Sequence, residues 1–358
     1  MLIISTVASV FIAFWSFIIC TVNLADGDRL PQRYVINLDL APENRWDRII
    51  DDHKKFIPTI IEEINHYVPK LLRPIVWWID ENILLKNFPN EYTQEIRGIA
   101  KRSGLSIGEI VGINILYDIS AFNRKHILAN IGCTSIVAQD YRGRIIHGRN
   151  LDYLMTSLLR NLTIIVDFTR GGNYYFNYLF FFAIFKFYKF LKKIFFSTDS
   201  GAYIDTILME FYTHFTKLVT FTVRMALEKK STFEEAREML MKEHFIAPSY
   251  LIIAGTEVGQ ACIITRDRWK AADLKCIDSQ SDHWFLVETN FDHWKVDKDK
   301  RRRIAEKALR QIGKHFLSYG EMLQILSLYP IKNNNTVFST VMSPLDENVL
   351  YGYTIVWE

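Results

Sequence analysis

The chain has 358 residues, 49% of them hydrophobic, which is enough to bury one large core or two ordinary ones and marks a globular protein. Its 43 basic and 40 acidic residues leave a formal charge of +3, too little for an electrostatic footprint on nucleic acid, so no nucleic-acid partner is expected. The one dense basic run, 298–303, reads as a solvated loop.

Residues 2–20, LIISTVASVFIAFWSFIIC, are apolar or small, and the chain turns polar at Asp26-Gly27-Asp28-Arg29. This reads as a secretory signal peptide over 1–25, with an uncleaved anchor as the alternative because no cation precedes the apolar stretch. Either reading sends the chain into the secretory pathway. Two acceptor sequons, Asn161-Leu162-Thr163 and Asn334-Asn335-Thr336, agree and make Asn161 and Asn334 candidate glycosylation sites. Cys20 would leave with the signal, so the mature chain keeps Cys133, Cys262 and Cys276. A bridge from 262 to 276 is conceivable, and a thiol left over in an oxidising compartment is a candidate reactive group. Cys133 is the natural candidate, against the alternative of a buried, inert cysteine.

From Arg33 the period of two places Tyr34, Ile36, Leu38 and Leu40 on one face of a strand, and Ala41-Pro42-Glu43 ends it and starts a helix. From Arg45 to Phe122 the pattern is helical, with Trp46, Ile49, Ile50, Phe56, Ile60 and Ile61 on helical spacing and a capping box of Ser106 with Glu109. Beyond Cys133 the short runs 134–138, 145–147, 162–168, 250–254, 261–265 and 284–288 read as strands, with a hairpin loop over 140–144. Capping boxes of Ser231 with Glu234 and Ser318 with Glu321 open helices that run to about Glu243 and Leu328. Strands with intervening helices predict a layered α+β architecture without internal repeats. Residues 176–196, FNYLFFFAIFKFYKFLKKIFF, stand apart: Lys186, Lys189 and Lys193 form one cationic stripe on an otherwise apolar segment. That pattern suits a membrane-surface helix, with a buried helix or strand pair as the alternative.

The chain has no H-E-x-x-H, C-x-x-C, Gly-rich phosphate loop or G-x-S-x-G elbow, and its nine histidines are dispersed, so no metal site and no cofactor are expected. A different chemistry follows if the bond between Gly132 and Cys133 is cut. The new α-amine, with a pKa of about 8, lies beside a thiol of about 8.5 and can take its proton without a histidine. The hairpin starting at Cys133 returns Arg149 and Asp152 close to its beginning, where a carboxylate can hold the ammonium and a guanidinium the thiolate. A plain strand-turn-strand with solvated Arg and Asp is the alternative.

The stretch Cys133-Thr134-Ser135-Ile136-Val137-Ala138, followed by His147-Gly148-Arg149-Asn150-Leu151-Asp152, resembles the maturation junction of acid ceramidase and N-acylethanolamine acid amidase. The resemblance extends to 34–46, Glu95-Ile96-Arg97-Gly98, Thr265-Arg266-Asp267-Arg268, Glu288-Thr289-Asn290-Phe291-Asp292-His293-Trp294-Lys295, and 329–342. The wording Asn150-Leu151-Asp152-Tyr153 leans towards the N-acylethanolamine branch. The resemblance implies a four-layer αββα N-terminal-nucleophile hydrolase sandwich with a helical N-terminal part. It implies autoproteolysis into an α-subunit, 26–132, and a β-subunit, 133–358, that pair as a heterodimer. Cys133 would be the nucleophile, Asp152 the anchor of its α-amine, Arg149 the thiolate partner and Asn290 the oxyanion donor. One of Arg301 and Arg302 would match a substrate-binding arginine of the family, displaced here by two residues. The implied reaction is hydrolysis of N-acylethanolamines to fatty acid and amine in the lysosome, with peripheral contact to lysosomal membrane lipids; secretion is the alternative destination. Ceramide hydrolysis is the rival substrate reading. An inactive or lipid-binding member is the rival outside the class, because 172–215 departs from the family's small, Gly-rich strands and offers only Asp199, Asp205 and Glu210 as acidic residues near its end.

Overall fold

The computed structural model describes residues 28–122, 133–153, 155–171, 173–178, 218–246, 248–278, 282–295, 300–345 and 353–358. The N-terminal part contributes strand β1 (Gln32–Asn37) and helices α1 (Asp47–His53), α2 (Ile57–Tyr67), α3 (Arg73–Ile79), α4 (Asn90–Ser103) and α5 (Ile107–Phe122). From Cys133 onward the order is β2 (Cys133–Gln139), β3 (Ile145–Asp152), α6 (Thr156–Leu162), β4 (Ile164–Arg170), β5 (Asn173–Tyr178), α7 (Val219–Lys229), α8 (Phe233–Lys242), β6 (Ser249–Ala254), β7 (Ala261–Arg266) and β8 (Ala271–Cys276). The chain closes with β9 (Phe285–Glu288), α9 (Arg301–Ile312), α10 (Tyr319–Ser327), β10 (Thr336–Met342) and β11 (Tyr353–Val356).

An antiparallel five-stranded sheet of order β11-β10-β3-β2-β9 is the centre of the molecule. Successive side chains of a strand point to opposite faces, and both faces of this sheet are covered. On one, Ile136, Ala138, Ile146, Phe285, Val287 and Val341 pack against Ala305 and Leu309 of α9 and Met322, Leu323 and Leu326 of α10. On the other, Val137, Ile145 and Leu286 meet Tyr250, Ile252, Ala261 and Ile263 of the antiparallel sheet β6-β7-β8. The far face of that second sheet, through Leu251 and Ile264, joins a cluster with Ala226 of α7 and Leu240 of α8. Helices, sheet, sheet and helices therefore stack in four layers, the expected αββα order. Strand β1 lies parallel to β4, which pairs antiparallel with β5 in a third sheet.

Cys262 and Cys276 sit directly opposite on β7 and β8 and form the disulfide, leaving Cys133 as the buried cysteine outside any disulfide among the described residues. The capping box at Ser106 forms: Glu109 N–H donates to Ser106 Oγ at 3.2 Å, and Ser106 N–H to Glu109 Oε2 at 2.9 Å. Ser318 likewise caps α10 by accepting from Glu321 N. The box expected at Ser231 is shifted by one residue: Thr232 is the cap and accepts from Glu235 N, while Glu235 reaches back to Ser231 N.

Several expectations are corrected. Leu40 falls after β1 and is 50% exposed, because the strand ends at Asn37. Residues 176–178 belong to β5, so the helix expected over 176–196 does not begin there; 179–196 lie outside the described residues. Part of the basic run is not solvated loop either, while 298–299 lie outside the described residues. Arg301 and Arg302 open α9 and are 2% and 7% exposed. Burial of a guanidinium requires acceptor oxygens for its N–H groups, and both arginines find them among carboxyl, carbonyl and side-chain oxygens.

Candidate active site

Strand β2 begins at Cys133, whose register partner on β3 is Leu151, and Ser135 stands opposite Arg149. The period of two puts the side chains of Cys133 and Arg149 on the same face, and Arg149 Nη2 comes within 3.4 Å of Cys133 Sγ. Asp152, one residue past Leu151, lies on the opposite face beside the start of β2. It is fully buried; Oδ1 accepts from Thr336 Oγ1 at 2.6 Å and Oδ2 from Arg301 Nη1 at 3.1 Å.

Arg301, the first residue of α9, joins the parts. Its Nη1 also donates to Cys133 O at 3.1 Å and Thr134 Oγ1 at 3.3 Å, and its Nη2 donates to Asn290 Oδ1. A guanidinium has donors and no acceptor, so the Asn290 amide can only present its oxygen to Arg301. Its Nδ2 is left as a buried donor with no hydrogen-bond partner among the described residues. A buried, unpaired N–H is costly, and an acceptor carrying developing negative charge satisfies it best.

Arg302 performs a separate task. Its guanidinium donates to Glu288 Oε1 at 2.8 Å and to the carbonyls of Val287, Phe291 and Asp292, so it braces the backbone on both sides of Asn290. Of the two arginines left open by the sequence, Arg301 reaches the cluster of Cys133, Asp152 and Asn290, and Arg302 reaches the turn that carries Asn290. Burial pushes the Glu288 carboxyl up to about 8, although Arg302 opposes the shift.

His147 lies two residues before Arg149 on the same face of β3. Burial, aided by the Arg149 charge, pushes its pKa down to about 3, and its Nε2 has no hydrogen-bond partner among the described residues. An imidazole so weakly basic is a poor general base near neutral or mildly acidic pH. That leaves the role of base to a group other than this histidine.

The sequence brought Cys133, Arg149, Asp152, Asn290 and Arg301 forward, and the fold gathers all five. It missed Thr336, which holds Asp152; its only signal was the sequon Asn334-Asn335-Thr336. Asn161 and Asn334 are both exposed, while the sequon hydroxyls Thr163 and Thr336 are buried. Asp199, Asp205 and Glu210 lie outside the described residues.

A family model described as the beta subunit of N-acylethanolamine-hydrolyzing acid amidase matches residues 30–88, within the stretch labelled α-subunit above by chain order. N-acylethanolamine-hydrolyzing acid amidase of Caenorhabditis elegans is 46% identical over 337 residues, covering 92% of this chain and 94% of its own length. The rat protein of the same name is 34% identical, covering 87% of this chain and 86% of its own. Acid ceramidase of Homo sapiens is 31% identical, covering 86% and 82%. A solved structure of the Caenorhabditis elegans N-acylethanolamine-hydrolyzing acid amidase ortholog superposes with a TM-score of 0.54 at 37% identity, covering 63% of this chain and all of that one.

Proposed function

This chain belongs to the N-acylethanolamine acid amidase and acid ceramidase family, and from that premise we propose that it hydrolyses fatty-acid amides, N-acylethanolamines in particular, through Cys133 as an N-terminal nucleophile. The observation that carries the reading is the cluster at the start of β2: Arg149 at the sulfur, Asp152 beside the strand's beginning, and the unpaired Asn290 Nδ2 fixed by Arg301.

Cutting before Cys133 frees its α-amine next to its thiol and next to the buried Asp152 carboxylate. The amine takes the thiol proton, the sulfur adds to the amide carbonyl, and the resulting oxyanion accepts from Asn290 Nδ2. Collapse expels the amine, which takes the proton back from the Cys133 ammonium and leaves a thioester. Water, deprotonated by the same α-amine, releases the fatty acid. The two pieces, 26–132 and 133–358, stay paired as a heterodimer, and the exposed sequon residues Asn161 and Asn334 would carry glycans in a lysosomal or secreted enzyme.

Membrane contact belongs to the same reading. Leu71, Ile75 and Trp78, at and before α3, are 92%, 58% and 58% exposed, an apolar face suited to a lipid surface that presents the substrate. Turnover of an N-acylethanolamine and of a ceramide, each offered in vesicles and in detergent, tests the proposal. Faster hydrolysis of the N-acylethanolamine is expected, and Leu71→Asp with Trp78→Asp should lower turnover on vesicles alone. Faster ceramide turnover would assign the other substrate, and no turnover of either would overturn the amidase reading.

A further inference from the structure

Residues 21–132 contain no cysteine, and Cys262 is bonded to Cys276. A cut before Cys133 therefore leaves two pieces with no disulfide between them. Their backbones meet where β1 lies beside β4 and where Arg29 and Val356 exchange hydrogen bonds of 3.0 and 2.8 Å. A further junction is buried and charged.

Glu95 of α4 is 4% exposed, and both its oxygens are saturated. Oε1 accepts from Arg45 Nη1 at 2.9 Å and Arg224 Nη2 at 2.8 Å; Oε2 accepts from Arg224 Nη1 at 2.7 Å and Trp46 Nε1 at 2.9 Å. Arg224, on α7, also donates from Nε to Glu228 Oε1 at 2.7 Å, and Glu228 Oε2 accepts from Tyr92 OH at 2.9 Å. The Arg224 guanidinium stands 4.3 Å from the Tyr92 ring and 5.0 Å from that of Phe168. Arg45, Trp46, Tyr92 and Glu95 precede the cut, whereas Phe168, Arg224 and Glu228 follow it. The network thus has one buried cation and one fully held anion from each piece, and its fork-to-fork pair, Arg224 with Glu95, crosses between them. Such bidentate pairs are the strong, direction-specific kind.

We propose that Glu95 is the clamp that keeps the two pieces of the matured chain together, by receiving the Arg224 guanidinium of the C-terminal piece in a sealed interface. The inference rests on the reading that the chain is cut before Cys133. Before the cut, the covalent link holds the two faces at high effective concentration and the clamp is dispensable for their meeting. Afterwards, an Arg224 guanidinium buried with Glu228 as its one remaining anion among the described residues would favour separation, since removing one member of a buried network is the costly case.

The clamp also suits an acidic compartment. Burial raises the Glu95 pKa, but the hydrogen bonds from Arg224, Trp46 and Arg45, with the charge of Arg224, outweigh it and hold the carboxyl below the usual value of 4.5. The charged and titratable groups that face it are Arg45, Glu91 and Tyr92 from the N-terminal piece and Arg224 and Glu228 from α7, with Arg170 of β4 beside Glu91. A depressed carboxylate contributes above its ordinary pKa and fails only as pH falls through the folded value, so the pieces hold together at pH 5.

The test uses the full chain as wild type, Glu95→Gln, and Glu95→Gln in a Cys133→Ala background, incubated in acid and compared by denaturing gel and by size-exclusion chromatography at pH 5. Wild type should run as two bands on the gel and elute as one species. Glu95→Gln should give the same two bands but elute as separate pieces, with their dissociation constant raised at least a hundredfold. The uncut double variant should elute as one species with a cooperative melt. Cut Glu95→Gln pieces that co-elute as tightly as wild type overturn the clamp, and so does an uncut double variant that fails to fold. A single wild-type band on the gel would instead overturn the maturation reading, and the clamp with it.

Discussion

Asn290 shows how a side chain's role is set by its neighbour. Arg301 can only donate, so it takes the Asn290 oxygen and leaves Nδ2 buried without a partner among the described residues; in the proposed mechanism that Nδ2 is the oxyanion donor. Asn290→Ala should lower kcat by 10²–10³, about 2.7–4 kcal/mol of transition-state stabilisation, with little change in KM, as steady-state kinetics on an N-acylethanolamine would show. An equal rise in KM at constant kcat would place Asn290 in ground-state binding instead. Cys133, Arg149 and Asp152 were legible because one hairpin carries them and its register follows from alternation. Arg301 was not separable from Arg302 by sequence, since adjacent positions at a helix start project to different places and only the fold shows where each arrives. Thr336 was hidden for a related reason: its partner, Asp152, is on the neighbouring strand of the sheet but 184 residues away in the chain.

At the scale of elements, the signals that worked were local ones. Ser106, Ser318 and the hairpin over 140–144 depend on residues within four positions of each other, and they form as expected. The strands β5, β8, β10 and β11 were missed. In β10 and most of β3, both faces are buried and polar residues are paired inside, so no alternation between apolar and polar appears. Asn150 is such a residue: fully buried, it donates to Leu326 O and Ile331 O at 2.8 and 3.0 Å and accepts from Ser339 Oγ at 2.6 Å. Helix α4 depends on a different local feature. At Gly98 an added Cβ would lie 1.9 Å from the Glu43 carbonyl oxygen, a backbone atom that cannot rotate away. Gly98→Ala should push α4 off the turn at 42–44 and cost about 3 kcal/mol, read as a lower denaturation midpoint. A midpoint equal to wild type would show that this packing yields freely.

Over the whole molecule, burial couples stability to pH. The Glu288 carboxyl, raised to about 8 from 4.5, binds its proton more tightly folded than unfolded, so its contribution is full below 4.5 and lost as pH rises through 8. His147, lowered to about 3 from 6.5, acts oppositely: its contribution is present above 6.5 and lost as pH falls. From pH 8 down to 6.5 the protein should therefore gain stability, at about 1.4 kcal/mol per pH unit where Glu288 alone is linked. Glu288→Gln should flatten that gain in urea denaturation; an unchanged slope would remove Glu288 from the account. The four layers were legible from strands alternating with helices and from the family resemblance, while the placement of β1 against β4 joins distant parts of the chain and had no local signal. That joining gives the central claim its form, a single precursor whose two halves interlock around a nucleophile created by cleavage. The most direct measurement is the intact mass of the purified protein after incubation at acidic pH, for wild type and Cys133→Ala. The account predicts two chains in wild type, one beginning at Cys133, and a single uncut chain in the variant. A wild type that stays whole, or a variant that splits at the same bond, would contradict it.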